Sequence, residues 1–364
     1  MGFLRFLLAV SIVVFHCGPL WKFKFITGYI AVETFFVISG FYMSLILNEK
    51  YIGSNSSYKL FVTNRLLRLY PIYWTVLILT CLFSLVIFKL SNGASFPVFS
   101  LFKYTNPGSA TFLIFANLGI LGQDIVSFLG IEPETGNLFF TENFWITRPQ
   151  LNMFLLIPQA WTVSLELMFY AVAPFILRKK TGLIIGLLFL SVLFRFFLYN
   201  KLRLRFDPWT FRFFPTEIAF FLAGYLSYRL YVKFSNFPPR KHIAWASLVW
   251  IAMLTLLYGY LPVVTFSVMP FSLNELVYFL SVIFSIPALF SYFRTSKIDA
   301  TLGNLSYPIY VSHYLVVGVL ASLGAEIFRQ TWCIIAVTVV SSGFLNILIG
   351  NRIELIRQKR LTTS

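Results

Sequence analysis

An arginine and a histidine share the first apolar stretch of this sequence, residues 3–17. Arg5 and His16 lie eleven positions apart, which is roughly 16 Å along a helix that rises 1.5 Å per residue. Ionisable side chains inside a membrane-length apolar run are costly and indicate a functional site. The imidazole could remove a proton from a hydroxyl group, and the guanidinium could hold an anion at the opposite end of the helix.

Three glutamates fall at about the depth of His16 when the apolar segments are read as membrane helices. Counted from the segment ends, Glu33, Glu166, Glu217 and His16 lie roughly 5–11 Å below the outer surface. Because buried charges must be paired or hydrogen-bonded, we expect one polar chamber in which Glu33 or Glu166 orients the imidazole. A base held by an acid suits proton removal from a hydroxyl. Each glutamate alone could instead form a hydrogen bond between helices, as we expect for Glu217.

Two further arginines could form a phosphate site at the opposite membrane face. Arg65 and Arg68 are three residues apart and therefore share one face of a helix. Two guanidiniums on one face can bind a phosphate through paired hydrogen bonds. With Arg5 at the same membrane face, they predict a site for the phosphates of a nucleotide. The alternative is an ordinary set of cations that fixes the topology, and spacing does not decide between the two.

Two other features each allow two interpretations. Ser39 and Gly40 interrupt the second apolar segment, where small residues could either let a linear ligand pass between helices or permit close packing. His313 lies near the middle of a later segment, where it would either line a cavity or be structural. No metal site is expected, because the three cysteines lack metal-ligand spacing: they are Cys17, Cys81 and Cys333.

The elements that position these residues are membrane helices. Of 364 residues, 58% are hydrophobic and only 12% are charged, whereas soluble domains are about 25% charged. The mean hydropathy is +0.80. Long apolar segments recur throughout, which predicts an all-α polytopic protein with one transmembrane domain over residues 1–350. The ten predicted spans are 3–19, 28–48, 70–90, 159–177, 182–199, 213–232, 243–261, 273–293, 305–324 and 331–350.

Charge distribution predicts the orientation of the bundle. The net charge of +16 comes from cations that gather in alternate connections and in a short basic tail, residues 351–364. Such cations mark cytoplasmic loops, so we expect both termini in the cytoplasm and no nucleic-acid partner. The connection 91–158 has few cations and is expected outside, along the outer interface and over a cavity. Loop 201–212 is an exception, because its Arg203 and Arg205 would either dock an anionic glycan or lipid headgroup, or simply be tolerated.

Five sequence blocks resemble those of the bacterial membrane acyltransferase family three, whose members O-acylate cell-surface glycans and some secondary metabolites. They occur in the family's order from Arg5 to His313. The blocks are Arg5 with His16; residues 31–41 with an acid, paired phenylalanines and Ser-Gly; residues 65–71 with paired arginines and Tyr-Pro; residues 161–170; and residues 303–313. The sequence departs from the family near its end, where Glu354 is not followed closely by proline.

The resemblance implies an O-acyltransferase of the bacterial inner membrane, surrounded by membrane lipids. It would move an acyl group from a coenzyme A thioester, usually acetyl-CoA, to a hydroxyl of a polysaccharide or glycolipid such as lipopolysaccharide. His16 would be the catalytic base, with Glu33 and Glu166 in the same chamber. The implied donor-binding residues are Arg5, Ser39, Gly40, Arg65, Arg68 and Tyr70, and the implied cavity-lining residues are Trp161, Tyr307 and His313. The alternative function is a transporter or flippase of a lipid-linked glycan that performs no acyl transfer.

Overall fold

A computed structural model describes residues 1–53, 56–92, 98–236 and 241–362, and within these ranges the chain is mainly helical. The helices are α1 (Gly2–Cys17), α2 (Gly28–Glu49), α3 (Tyr58–Leu90), α4 (Val98–Leu101), α5 (Pro107–Gly119), α6 (Trp161–Ile176), α7 (Thr181–Asn200), α8 (Phe214–Phe234), α9 (Lys241–Leu257), α10 (Leu273–Phe293), α11 (Lys297–Ser322), α12 (Thr331–Leu345) and α13 (Asn351–Thr362). A π-helical segment, Asn346–Gly350, joins α12 to α13. One antiparallel hairpin pairs β1 (Leu129–Ile131) with β2 (Leu138–Phe140).

Helices occupy all ten predicted spans. Within the described ranges, seven helices are long and apolar enough to cross a membrane: α2, α3, α7, α9 with the turn that follows it, α10, α11, and the continuous run from α12 to α13. Helix α1 is apolar but has only 16 residues. The predicted class, an all-α membrane protein, is therefore confirmed, whereas the ten-span topology and the cytoplasmic termini stay predictions.

Two helices begin earlier than their internal prolines suggested. Helix α3 begins at Tyr58 rather than residue 70, and α11 begins at Lys297 rather than residue 305, because both continue through a proline, Pro71 or Pro308. Proline is tolerated inside membrane helices, where neighbouring helices and side chains satisfy the freed backbone groups. As a result, both arginines of the 65–71 block lie on the same continuous helix as the apolar span that follows them.

Two glycines set the close crossing of α2 and α8. A Cβ atom at Gly40 would lie 1.9 Å from the carbonyl oxygen of Phe221, and one at Gly224 would lie 2.0 Å from the carbonyl oxygen of Val37. Both obstacles are backbone atoms, so a larger residue would push the two helices apart. The structure thus supports the packing interpretation of Gly40, and the predicted role in a ligand path is not supported.

We expected the long connection between α3 and α6 to lie along the outer interface. Part of it instead folds back along α3. Side chains of α3 donate hydrogen bonds to the last carbonyl groups of α5, which have no acceptor role within the helix itself. The pairs are Tyr70 to Gly119 (2.5 Å), Tyr73 to Asn117 (2.5 Å) and Trp74 to Leu118 (2.9 Å). Because Tyr70 lies 20 residues before Leu90, the end of α3, the last carbonyl groups of α5 lie roughly 30 Å from that end of α3.

Loop 201–212 packs on the same connection. The indole nitrogen of Trp209 donates a hydrogen bond to the carbonyl oxygen of Glu142 at 2.9 Å, and its ring meets the ring of Phe128 edge-on at 5.0 Å. Within the loop, the Arg212 guanidinium forms two hydrogen bonds with the Asp207 carboxylate, at 2.7 and 2.9 Å. The basic loop is therefore held in place by aromatic and ionic contacts.

Candidate active site

A cavity lies among helices α1, α2, α3, α6 and α11. Each of these five helices contributes one residue that the sequence had assigned to the site: Arg5, Ser39, Arg68, Glu166 and Tyr307. Sequence positions as far apart as 5 and 307 are thereby brought around one space. Most of the remaining lining is apolar or aromatic, which is typical of a pocket that holds a ligand by burial and orients it with a few polar groups.

Glu166 forms a polar wall of this cavity. Its carboxylate accepts hydrogen bonds from the hydroxyl groups of Ser39 at 2.8 Å and Tyr170 at 2.5 Å. Nearby, the hydroxyl of Tyr307 donates to the carbonyl oxygen of Leu69 at 3.0 Å. Both partners of the carboxyl group are neutral hydroxyl groups, and Glu166 lies close enough to Arg5 to act on it electrostatically.

Three guanidiniums lie at one end of the cavity, which we call the arginine end: Arg5, Arg65 and Arg68. Arg5 and Arg68 line the cavity, and neither is in an ion pair with an acid of the described chain. Arg65 is only 4% exposed, and its buried Nε atom has no hydrogen-bond partner among the residues that the structure describes. Clustered cations with unused donors favour a bound anion, and the planar guanidinium matches a phosphate in particular.

Two imidazoles form a separate group beside the cavity, which we call the histidine end; it comprises His16, His313 and Tyr314, none of which lines the cavity itself. The rings of His16 and His313 stack with centroids 5.4 Å apart, and a hydrogen bond of 3.1 Å joins His16 Nδ1 to the Tyr314 hydroxyl. His16 is exposed, whereas His313 is fully buried. The His313 Nδ1 atom lies 2.7 Å from the carbonyl oxygen of Tyr310. A carbonyl only accepts, so we assign the proton to Nδ1, which leaves Nε2 unprotonated.

Tyr310 connects the cavity with the histidine end. It lines the cavity, its hydroxyl donates to the carbonyl oxygen of Gln159 at 2.6 Å, and that hydroxyl accepts from Thr162 at 2.7 Å. Its own carbonyl oxygen accepts the hydrogen bond from His313. Tyr310 therefore both lines the cavity and contacts the buried imidazole of His313, which is not itself part of the lining.

The predicted pairing of a carboxylate with His16 does not hold in this geometry. Glu33 instead forms a buried ion pair with Arg195 at 3.0 Å, and the same guanidinium contacts Glu217 at 3.3 Å. Glu166 is engaged by its two hydroxyl donors. A phenol and a second imidazole contact His16 where an acid had been expected. Glu217 joins α8 to α7 through Arg195, as the interhelical alternative had proposed.

Other predicted residues lie outside the cavity. Tyr70 is anchored to α5, and Trp161 lies beneath the Arg212 guanidinium, whose central carbon is 4.5 Å from the ring centroid. Arg203 and Arg205 are exposed, and the Nε atom of Arg205 donates to the carbonyl oxygen of Tyr199 at 3.1 Å. Their predicted role in docking an acceptor is therefore sterically open.

Several contributors to the site were missed from the sequence. Tyr310 and Tyr314 lie within one turn of His313, so a polar residue count around that histidine could have found them. Tyr170 lies one turn after Glu166 and could have been found in the same way. Arg212 belongs to the basic loop and acts electrostatically on His16, a relation for which the sequence carries no signal.

Comparison with known protein families gives a match that covers the whole candidate site. The model of acyltransferase family three, described as an acyltransferase domain, matches residues 1–350, which include all residues of the cavity and of the histidine end. No significant match was found among curated proteins or among solved structures.

Proposed function

Because this chain belongs to acyltransferase family three, as its five sequence blocks predicted, we propose that it transfers an acetyl group from acetyl-CoA to a hydroxyl group of a cell-surface polysaccharide or glycolipid. The family supports a multi-pass membrane acyltransferase. The donor, the acceptor and the bacterial inner membrane are parts of the proposal. The observation that carries it is one cavity lined by Arg5 and Arg68, neither of which is in an ion pair with a described acid, and by Tyr310, which contacts the buried imidazole of His313.

The donor fits this cavity by its chemical layout. Its phosphates would bind at the arginine end, where Arg5 and Arg68 line the cavity and form no ion pair with an acid in the described ranges. Its thioester is joined to those phosphates by a long flexible arm, which would lie along the aromatic walls and past Ser39. Arg5 and His16 are eleven residues apart on α1, roughly 16 Å, so only a donor with such an arm reaches both ends. We place the arginine end on the cytoplasmic side, where acyl-CoA is available.

His16 is the proposed base. Its Nδ1 atom faces the Tyr314 hydroxyl, which leaves Nε2 for the hydroxyl of the acceptor. As the acceptor oxygen attacks the thioester carbonyl, Nε2 takes the proton of the acceptor hydroxyl. The carbon–sulfur bond then breaks, and the departing thiolate receives that proton from Nε2. A route through an acyl-imidazole would use the same nitrogen as nucleophile. His313 is sealed behind this ring, so an incoming sugar reaches His16.

The acceptor would approach over loop 201–212. Arg203 and Arg205 are exposed there, and Arg212 of the same loop acts electrostatically on His16. Cations at this position favour a glycan or lipid-linked sugar that carries negative charge.

Labelled acetyl-CoA tests the enzyme against the transporter. The purified protein in vesicles should move label to extracted surface glycan, and His16→Ala should abolish transfer while donor binding remains. His242→Ala is the matched control, because His242 is an exposed histidine at the start of α9. Full transfer by the His16→Ala protein would remove the proposed base. Glycan movement across the vesicle membrane without any labelling would favour a transporter or flippase.

A further inference from the structure

Helix α13 had been expected as a short basic tail, but it packs against α3 beside the arginine end. Arg357 of α13 is only 8% exposed, and its Nε atom donates to the carbonyl oxygen of Asn64 at 2.9 Å. Arg360 donates to the side chains of Asn64 and Thr63, both at 2.9 Å. Asn64 directly precedes Arg65, so α13 is attached to the residue just before the paired-arginine block.

The cluster that results carries an excess of positive charge. Arg65 and Arg68 both repel the charge of Arg357, and the acid that contacts Arg357 is Glu354, whose side chain is 49% exposed. Bringing buried like charges together is unfavourable unless an anion compensates them. The buried Nε atom of Arg65 has no partner among the described residues, so the cluster has a hydrogen-bond donor to offer such an anion.

We propose that Arg357 completes, with Arg65 and Arg68, a binding site for the phosphate groups of the donor nucleotide. This inference rests on the proposed function, because acetyl-CoA supplies those phosphates. The Nε atom of Arg357 donates to Asn64 and its Nη1 atom donates to Glu354, so the side chain is held in place and Nη2 is left to face a ligand. Planar guanidiniums bind phosphate through two parallel hydrogen bonds, which a flexible tail could not hold in place. Helix α13 lies beyond the residues matched by the family model.

Two donors that differ in the nucleotide test the proposal. Binding of acetyl-CoA and of acetyl-pantetheine, which lacks the nucleotide phosphates, is measured with the full chain in phosphatidylcholine vesicles. Arg357→Ala should weaken acetyl-CoA binding about tenfold or more, as for loss of a charged hydrogen bond, and leave acetyl-pantetheine binding unchanged. Arg352→Ala removes the same charge from an exposed position of the same helix and should change neither.

Each of the other outcomes overturns the inference, and each indicates a different alternative. Equal weakening of both donors by Arg357→Ala would mean that the residue only holds α13 in place. Unchanged acetyl-CoA binding would remove Arg357 from the site and leave the proposed function intact. Failure of the unaltered protein to bind acetyl-CoA would remove both proposals together. If Arg357→Ala acts only in vesicles that contain phosphatidylglycerol, the cluster binds lipid headgroups instead.

A second variant covers the case in which Arg357→Ala does not fold. Arg357→Lys keeps the charge but lacks the planar pair of donors. It should bind acetyl-CoA with an intermediate affinity and bind acetyl-pantetheine normally. Unchanged binding of acetyl-CoA by this variant would contradict a phosphate-binding guanidinium.

Discussion

The imidazole rings of His16 and His313 stack, with their centroids 5.4 Å apart and their planes inclined by 23°. Only one ring is accessible, because His16 is exposed and His313 is fully buried. The hydrogen bond from His313 to the carbonyl oxygen of Tyr310 fixes the buried ring, and that ring then limits how His16 can turn. Stacking on His313 and the contact with Tyr314 thus take the orienting role that the sequence had assigned to a carboxylate.

Replacement of His313 should distinguish the contribution of its ring to catalysis from the contribution of its nitrogen atoms. His313→Ala removes the stacked face and should lower kcat for acetyl transfer by up to about tenfold, since such a ring pair contributes about 0.5–1.5 kcal/mol. His313→Phe restores a ring and should recover most of that loss, with KM for acetyl-CoA unchanged. In the His16→Ala background, neither change should restore transfer, because His313 acts through His16. Equal inactivity of the Phe and Ala variants would show instead that a His313 nitrogen takes part in the chemistry.

Replacement of Arg195 should destabilise the bundle more than it impairs chemistry. Arg195→Met leaves Glu33 and Glu217 buried without a counter-ion, which typically costs about 3–5 kcal/mol. Thermal unfolding in detergent should therefore shift to lower temperature, and combination with Glu33→Gln and Glu217→Gln should recover most of the shift. A stable Arg195→Met protein that has lost acetyl transfer would contradict this structural role and return Glu33 to the catalytic set.

The helices could be predicted from the sequence, whereas the interactions between residues on different helices could not. Apolar length was enough to predict the ten helices, and ionisable residues, the Ser39-Gly40 pair and the family's sequence blocks together indicated five of the residues that meet in the cavity. The partner of Glu33 could not be predicted, because Arg195 is 162 positions away on α7 and the pairing depends on which helices are neighbours. Similarly, nothing in the spacing of Ser39 and Gly40 shows that one faces the cavity and the other faces α8.

The position of residues 107–119 could also not be predicted from the sequence. The composition of this stretch suits an interfacial segment or a helix inside the bundle equally well. Its position is set by hydrogen bonds from α3 side chains to the last carbonyl groups of α5, and these bonds become visible only when the two helices are placed side by side. For the same reason Tyr70, assigned from its motif to the donor site, is an anchor for α5.

Gly40→Ala should weaken folding through a clash with backbone. Its Cβ atom would lie 1.9 Å from the Phe221 carbonyl oxygen, which cannot move without shifting α8. We expect a loss of about 1–3 kcal/mol in the free energy of unfolding, as for an overpacked core. Gly186→Ala on α7 is the control, since a Cβ there meets no atom within 4 Å. Normal stability with weakened acetyl-CoA binding would favour the ligand-path interpretation of Gly40 instead.

Arg68→Ala should impair donor binding and leave the chemical step intact. Arg68 lines the cavity at the arginine end and is in no ion pair with a described acid, so its loss removes a ligand contact rather than an internal one. The dissociation constant of acetyl-CoA should rise about tenfold or more, whereas kcat at saturating donor should stay near that of the unaltered protein. Lys59→Ala is the matched control, because Lys59 is an exposed cation in the first turn of the same helix. A lowered kcat with unchanged donor affinity would place Arg68 at the reacting groups and overturn the assignment of the arginine end to phosphate.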